Sequence, residues 1–352
     1  MKPKNVKRVL LFLGLTFSLT WGFEWVVART IGPAAYLATQ MTPLGMFFPA
    51  CSAILLQCFV FRDSPVYFRA PADPARWVFF GFLILAGAYA ALTFLALSTA
   101  IRPLILQGIG GILIMFWTFL LFYLHGKSGE EGFARIGLPL GDPSLGVRFI
   151  AGTAAFFILQ SALNLLFGLG ELPGVQETVG GVPVPAGVYP FALIVFFGIT
   201  VVGVPLTGLA AVFGEEYGWR GFLQKELAAL GRRRGVLLTG LIWGIWHFPV
   251  ILGGIHTYPP DAAGLLMGLV FFTLAGCVLG YAVIKTGSIW VAAFMHGVMN
   301  SVYAFGLQYL ARPDDKLLSF GLGAGGLLCL AAIVLWIMRD PVWNAAAEGG
   351  GG

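Results

Sequence analysis

Ten apolar runs, each about as long as a bilayer core is thick, leave this chain few ways to fold. They fall at residues 9–28, 42–61, 77–97, 104–124, 147–168, 190–213, 236–254, 263–284, 289–309 and 317–338 of 352. A hydrocarbon layer about 30 Å thick takes about 20 apolar residues per spanning helix. Within it every peptide group has to be bonded by the chain itself, so only helices and closed barrels cross. Barrel strands read as short alternating segments, whereas these runs are continuously apolar. The expected fold is all-α, a polytopic transmembrane helical bundle of about ten spans. Composition agrees: 58% of residues are hydrophobic and 11% charged, where a soluble domain has about a quarter charged. Forty-nine glycines and twenty prolines suit membrane helices, in which small residues permit close contact.

A net charge of +5 raises the question of nucleic acid. The basic residues are spread over loops rather than gathered in one patch, so topology accounts for them and no nucleic-acid partner is expected. With a cytosolic N-terminus, seventeen lysines and arginines fall inside: Lys2, Lys4, Lys7, Arg8, Arg62, Arg69, Arg76, Lys127, Arg135, Arg148, Arg220, Lys225, Arg232, Arg233, Arg234, Lys285 and Arg339. Four fall outside: Arg29, Arg102, Arg312 and Lys316. Both termini are expected in the cytosol. Residues 1–28 are read as an uncleaved first helix, because their apolar stretch is long for a signal peptide. Cys51, Cys58, Cys277 and Cys329 lie inside the runs and show no disulfide or zinc spacing. The loop at 125–146 is mixed in charge; that at 169–189 is rich in glycine and proline and has no lysine or arginine, as an external loop should.

The polar side chains that demand explanation lie almost entirely between residues 214 and 300. Glu215 and Glu216 follow more than twenty residues without a charge. On a helix, Glu216 and Arg220 are i and i+4 and can meet. Glu215 is rotated by about 100° and faces Trp219, so Arg220 reaches it less easily. Desolvation and a neighbouring like charge are conditions that tune a carboxylate for general-base work near neutral pH. The alternative is that both glutamates are solvated at the cytosolic end of a span and merely terminate it. His247 lies near the middle of its run, four residues after Trp243, and His296 and Asn300 share one helical face. A lone polar group in hydrocarbon costs several kcal/mol, so each needs a partner in the bundle. Singly, His247 as a core histidine and Asn300 as an interhelical hydrogen bond are ordinary structural roles. Together they suggest a site, because the other two histidines, His125 and His256, lie in or beside loops. The connections at 225–235 and Lys285 are inside, so the site is expected in the cytosolic half.

Glu215-Glu216-x-x-x-Arg220-Gly221, an aromatic residue four before His247, and His296-x-x-x-Asn300 resemble the three motifs of the CAAX prenyl protease and bacteriocin-processing family of intramembrane endopeptidases, also called the Abi family. The resemblance covers about residues 190–310. It implies a helical bundle with a catalytic chamber open toward the cytosolic leaflet, in which Glu215, assisted by His247, activates water against a peptide carbonyl. His296 and Asn300 would form the oxyanion site, while Glu216 and Arg220 hold the acid pair in place. Trp243 stands where the family has phenylalanine, and a packing role is expected of it. Residues 147–312 would be the catalytic core, with 1–146 accessory helices before it and 313–352 a last helix and cytosolic tail.

The activity so implied is hydrolysis of a peptide or lipidated-protein substrate at a lipid bilayer, without a cofactor, and the alanine-, glycine- and leucine-rich chain with short loops points to a bacterial plasma membrane. A lipid-bearing substrate would enter sideways between helices, past the aromatic residues of 270–272 and 289–294. One alternative is a zinc protease with Glu215, His247 and His296 as ligands, although the His-Glu-x-x-His spacing is missing. A non-catalytic immunity or scaffold protein of the same fold is a second. A third, a proton-relaying transporter, lacks the repeat pair such proteins show.

Overall fold

The computed structural model describes residues 2–30, 32, 36, 43–70, 73–98 and 103–344. Arg102 and the tail 345–352 lie outside the described residues.

Every one of the ten apolar runs contains a helix. In chain order these are α1 (Pro3–Thr30), α2 (Pro43–Leu55), α3 (Trp77–Ser98), α4 (Pro103–Arg135), α5 (Pro143–Leu166) and α6 (Tyr189–Thr207). After a short α7 (Leu209–Glu216) come α8 (Arg232–Trp246), α9 (Phe248–Leu252), α10 (Ala262–Thr286), α11 (Ile289–Phe305) and α12 (Ala324–Ile337). Among the described residues, 8 helical segments are long and apolar enough to cross a membrane. The other two runs are the 17-residue α11, which continues through a π turn to Leu310, and the 14-residue α12. The chain is an integral membrane protein.

Helix starts follow local chemistry. Asp142, Asp261 and Ser288 cap α5, α10 and α11 by accepting from the amides of Leu145, Gly264 and Trp290 at 3.0, 2.9 and 3.2 Å. These bonds satisfy donors that the first helical turn leaves free. Gly287 ends α10 at φ 74°, a left-handed conformation that a Cβ would strain.

The bundle has two distinct ends. At one, Arg8 bridges Asp63 and Glu226, Lys4 pairs with Asp63, Lys285 pairs with Asp340, Arg135 with Asp73, and the amide of Asp142 bonds the carbonyl of Thr286. This basic end gathers the loops that the charge count assigns to the cytosol. At the other, Gly170-Glu171 pairs antiparallel with Arg312-Pro313, Asn164 bonds Phe320, and the Tyr258 hydroxyl donates to the carbonyl of Leu322.

The acid pair does not simply prolong α6. Pro205, which has no amide hydrogen to give, and Gly208 break the helix, and α7 starts afresh at Leu209. A π turn, Tyr217–Leu223, then carries the chain to a last helical piece, Gln224–Leu227. Gly214 and Gly218 press α7 and its π turn against α2: a Cβ at either would collide with the backbone of Met46–Phe47 or of Pro49. That approach buries the carboxylates. Glu215 is 3% exposed and Glu216 0%, which disposes of the solvated-terminus alternative.

Candidate active site

Three helices bring the site together. The α7 segment supplies Glu215 and Glu216 and its π turn supplies Arg220; the C-terminal end of α8 supplies Trp243 and His247; the middle of α11 supplies His296 and Asn300. π turns are rare and concentrate at functional sites.

Glu216 is an anchored carboxylate. Its Oε1 accepts from Arg220 Nη1 at 3.0 Å, the i, i+4 pair read from the sequence, and from His296 Nδ1 at 2.9 Å. One acid therefore ties α7 to α11, with both side chains of the ion pair fully buried. Glu215 is held differently. Its Oε2 accepts from Trp243 Nε1 at 2.7 Å, and Oε1 has no hydrogen bond among the described residues.

Trp243 does more than pack. Its indole N–H reaches Glu215, its ring lies 4.4 Å from the Arg220 guanidinium, and the rings of His247 and His296 sit edge-on at 5.4 and 5.5 Å. The sequence reading of a bulky aromatic underestimated it, because only the fold shows where the indole nitrogen points.

His247 Nδ1 is 2.8 Å from the carbonyl oxygen of Trp243. A carbonyl can only accept, so Nδ1 carries the hydrogen and Nε2 keeps its lone pair. Phe272 stacks on this ring at 3.5 Å and 7°, which fixes the orientation of Nε2.

Glu215, His247, His296 and Asn300 all line one cavity of about 410 Å³, within the range of about 300–1,000 Å³ common for ligand sites. Its wall also holds Glu24, Tyr36, His256, Thr257 and Leu322. Four of these, Tyr36, His256, Thr257 and Leu322, come from connections at the end opposite the basic one. His296 lies eight residues up α11 from Ser288 and Trp243 eleven up α8 from Arg232, about 12 and 16 Å at 1.5 Å per residue. The loops at 225–235 and Lys285 thus lie about 12–16 Å below the site, and the cavity extends from the site away from them.

Two wall residues escaped the sequence reading. Glu24, on α1, is 8% exposed, and its Oε2 has no partner among the described residues. A glutamate within an apolar run was the available signal. His256, in the connection after α9, has its ring 5.9 Å from that of His247. The first helix is stitched to the site region: Trp246 Nε1 donates to Thr20 Oγ1 at 2.9 Å and Trp21 Nε1 to the carbonyl of Trp246 at 3.2 Å. Of the aromatic wall expected for a lipid, Phe271 and Phe272 line the cavity.

Among the described residues no three His, Cys, Asp or Glu side chains come together as a metal site.

Comparison with known proteins agrees with the motifs. The family profile described as type II CAAX prenyl endopeptidase Rce1-like matches residues 197–302, a stretch that contains all seven site residues. A 135-residue stretch is 30% identical to CAAX prenyl protease 2 of Methanococcus maripaludis, covering 36% of this chain and 47% of that protein. The chain thus spans about half the length of this relative. No solved structure matches the chain. Residues 197–302 are thus similar to the type II CAAX prenyl endopeptidase Rce1-like family.

Proposed function

We propose that the chain is an intramembrane endopeptidase that hydrolyses a peptide bond with water activated by Glu215 and His247. One observation carries this reading: inside a membrane bundle, a carboxylate with a free Oε1 and an imidazole with a free Nε2 line the same cavity as His296 and Asn300. A general base has to reach the proton it takes, and both groups present a lone pair there.

In this mechanism water gives a proton to Glu215 while its oxygen attacks the scissile carbonyl carbon. The resulting oxyanion is held by the Asn300 amide and by Nε2–H of His296, which acts as an imidazolium with its Nδ1–H on Glu216. Such preorganised donors can contribute about a hundredfold or more in rate. Collapse of the intermediate passes the proton to the leaving amine, releasing a carboxylate and an amine. Glu216 and Arg220 keep α7 in register with α11, and Trp243 aims the Glu215 carboxylate.

The test is cleavage of quenched fluorescent peptides, with and without a farnesylated cysteine, by purified protein in detergent. Cleavage that disappears in Glu215→Ala and survives a chelator supports the glutamate mechanism. Activity lost to the chelator and restored by zinc overturns it in favour of a metal, and activity that survives Glu215→Ala removes the assigned base.

A further inference from the structure

We propose that a groove on the outside of the bundle, between α5, α10, α11 and α12, binds an anionic phospholipid, with its phosphate on Arg148 and one acyl chain along the groove. The groove has a volume of about 460 Å³ and is lined almost entirely by apolar side chains. Phe149, Phe156, Leu279, Met295 and Ile333 form much of its wall, and Trp336, 70% exposed, stands at its edge.

Charge is confined to one end of it, where Arg148 of α5 and Lys285 of α10 meet. Most of the polar groups there are already matched within the protein. Lys285 pairs with Asp340 at 3.1 Å, the Tyr281 hydroxyl donates to the same carboxylate at 2.6 Å, and Thr153 donates to the carbonyl of Phe149 at 2.9 Å. Arg148 is exposed and has no ion pair or hydrogen bond among the described residues. Two cations and one carboxylate thus leave one positive charge uncompensated at an apolar rim. A guanidinium offers paired donors that match the oxygens of a phosphate, and basic pockets between membrane helices recognise anionic headgroups. A phosphodiester with one negative charge is the complement.

The length of the groove suits a lipid chain. From Arg148 to Phe157 on α5 is nine residues, about 14 Å at 1.5 Å per residue. The hydrocarbon of one leaflet is about as deep, being half of a core about 30 Å thick. At the uncharged end Phe157, Phe271 and Met299 line both the groove and the site cavity, so the tip of the acyl chain packs against the outside of the site wall. A lipidated peptide fits less well. Its reacting bond has to meet Glu215, which lies beyond the uncharged end and does not line the groove, and Arg148 would then be left unmatched.

Binding here needs no turnover, so its test is independent of cleavage. Two variants at exposed positions of α5 probe the two halves of the lipid. Arg148→Gln removes the charge. Gly152→Phe fills the groove, and a Cβ at Gly152 meets no atom within 4 Å. Native mass spectrometry of the purified full chain measures retention of phosphatidylglycerol and of phosphatidylcholine with the same acyl chains. The wild type is expected to hold phosphatidylglycerol about tenfold more tightly, the worth of one charge-assisted hydrogen bond. Arg148→Gln should hold the two lipids equally, and Gly152→Phe should lose both. Equal retention by the wild type, a preference that survives Arg148→Gln, or undiminished binding by Gly152→Phe overturns the proposal. Displacement of phosphatidylglycerol by a farnesylated peptide also overturns it and assigns the groove to a lipid-bearing substrate.

Discussion

The indole nitrogen of Trp243 lies 2.7 Å from Oε2 of Glu215, and the same ring lies 4.4 Å from the guanidinium carbon of Arg220. One side chain thus contacts both the acid assigned as base and the cation that holds its neighbour. Phenylalanine could keep the second contact and not the first. A hydrogen bond to a charged acceptor is worth about 1.5–3 kcal/mol, so Trp243→Phe should lower kcat/KM about ten- to a hundredfold while thermal stability changes little. Peptide cleavage and a melting curve on the same preparation check this, and an unchanged kcat/KM would reduce Trp243 to packing.

Asn300 lines the cavity and has no hydrogen bond among the described residues. Asn300→Ala should therefore leave folding intact and lower kcat by about a hundredfold, the usual loss of one oxyanion donor. Steady-state kinetics separates this from a binding role, which would appear in KM.

Arg220 and Glu216 are an ion pair with no exposed surface. Removing one partner of such a pair costs about 3–5 kcal/mol, because the other charge stays buried and uncompensated. Arg220→Met should melt well below wild type. The double variant Arg220→Met with Glu216→Gln should recover much of the loss, and thermal unfolding in detergent of all three proteins closes the cycle.

Glu24 faces the cavity with an unpartnered carboxylate oxygen, and its natural complement is a cationic group. Glu24→Gln should lower cleavage of peptides carrying lysine near the scissile bond more than that of norleucine analogues. Equal effects on the two peptides would leave Glu24 without a part in selection.

Asp340, beyond α12, accepts from the Tyr281 hydroxyl at 2.6 Å, from the Val342 amide at 2.7 Å and from Lys285 at 3.1 Å. The Tyr281 bond first, then Val342 and Lys285, hold its carboxyl down at about 2. A depressed carboxylate stabilises the fold at every pH above its unfolded value and loses that contribution as pH falls through the folded one. Docking of residues 338–344 should be indifferent to pH from about 8 to 5 and loosen between about 4 and 2. Hydrogen exchange of that segment reads it out, and Asp340→Asn should abolish the pH step.

Much of the bundle could be read directly. Runs of about twenty apolar residues admit one solution in a bilayer, and each of the ten proved to hold a helix. Glu216 with Arg220 was equally legible, because i, i+4 spacing places two side chains together whatever else the chain does. Glu24 was passed over because it lies in an apolar run far from the three motifs. His256 was assigned to a loop, and nothing local says that this loop folds back over His247.

Depth and direction belong to the tertiary structure. The spacing of basic loops suggested a site toward the basic half, and the fold adds that the carboxylates are carried on a separate segment wedged against α2 through Gly214 and Gly218. Which way an indole N–H points, which histidine meets which glutamate, and toward which end the cavity runs all depend on contacts between helices 28 to 80 residues apart in sequence. Local patterns determined that this protein is a membrane bundle with an acid pair and two histidines in it. Only the packing of α7, α8 and α11 decided which lone pairs share a cavity, because hydrophobic periodicity specifies that a face is buried and not what it is buried against.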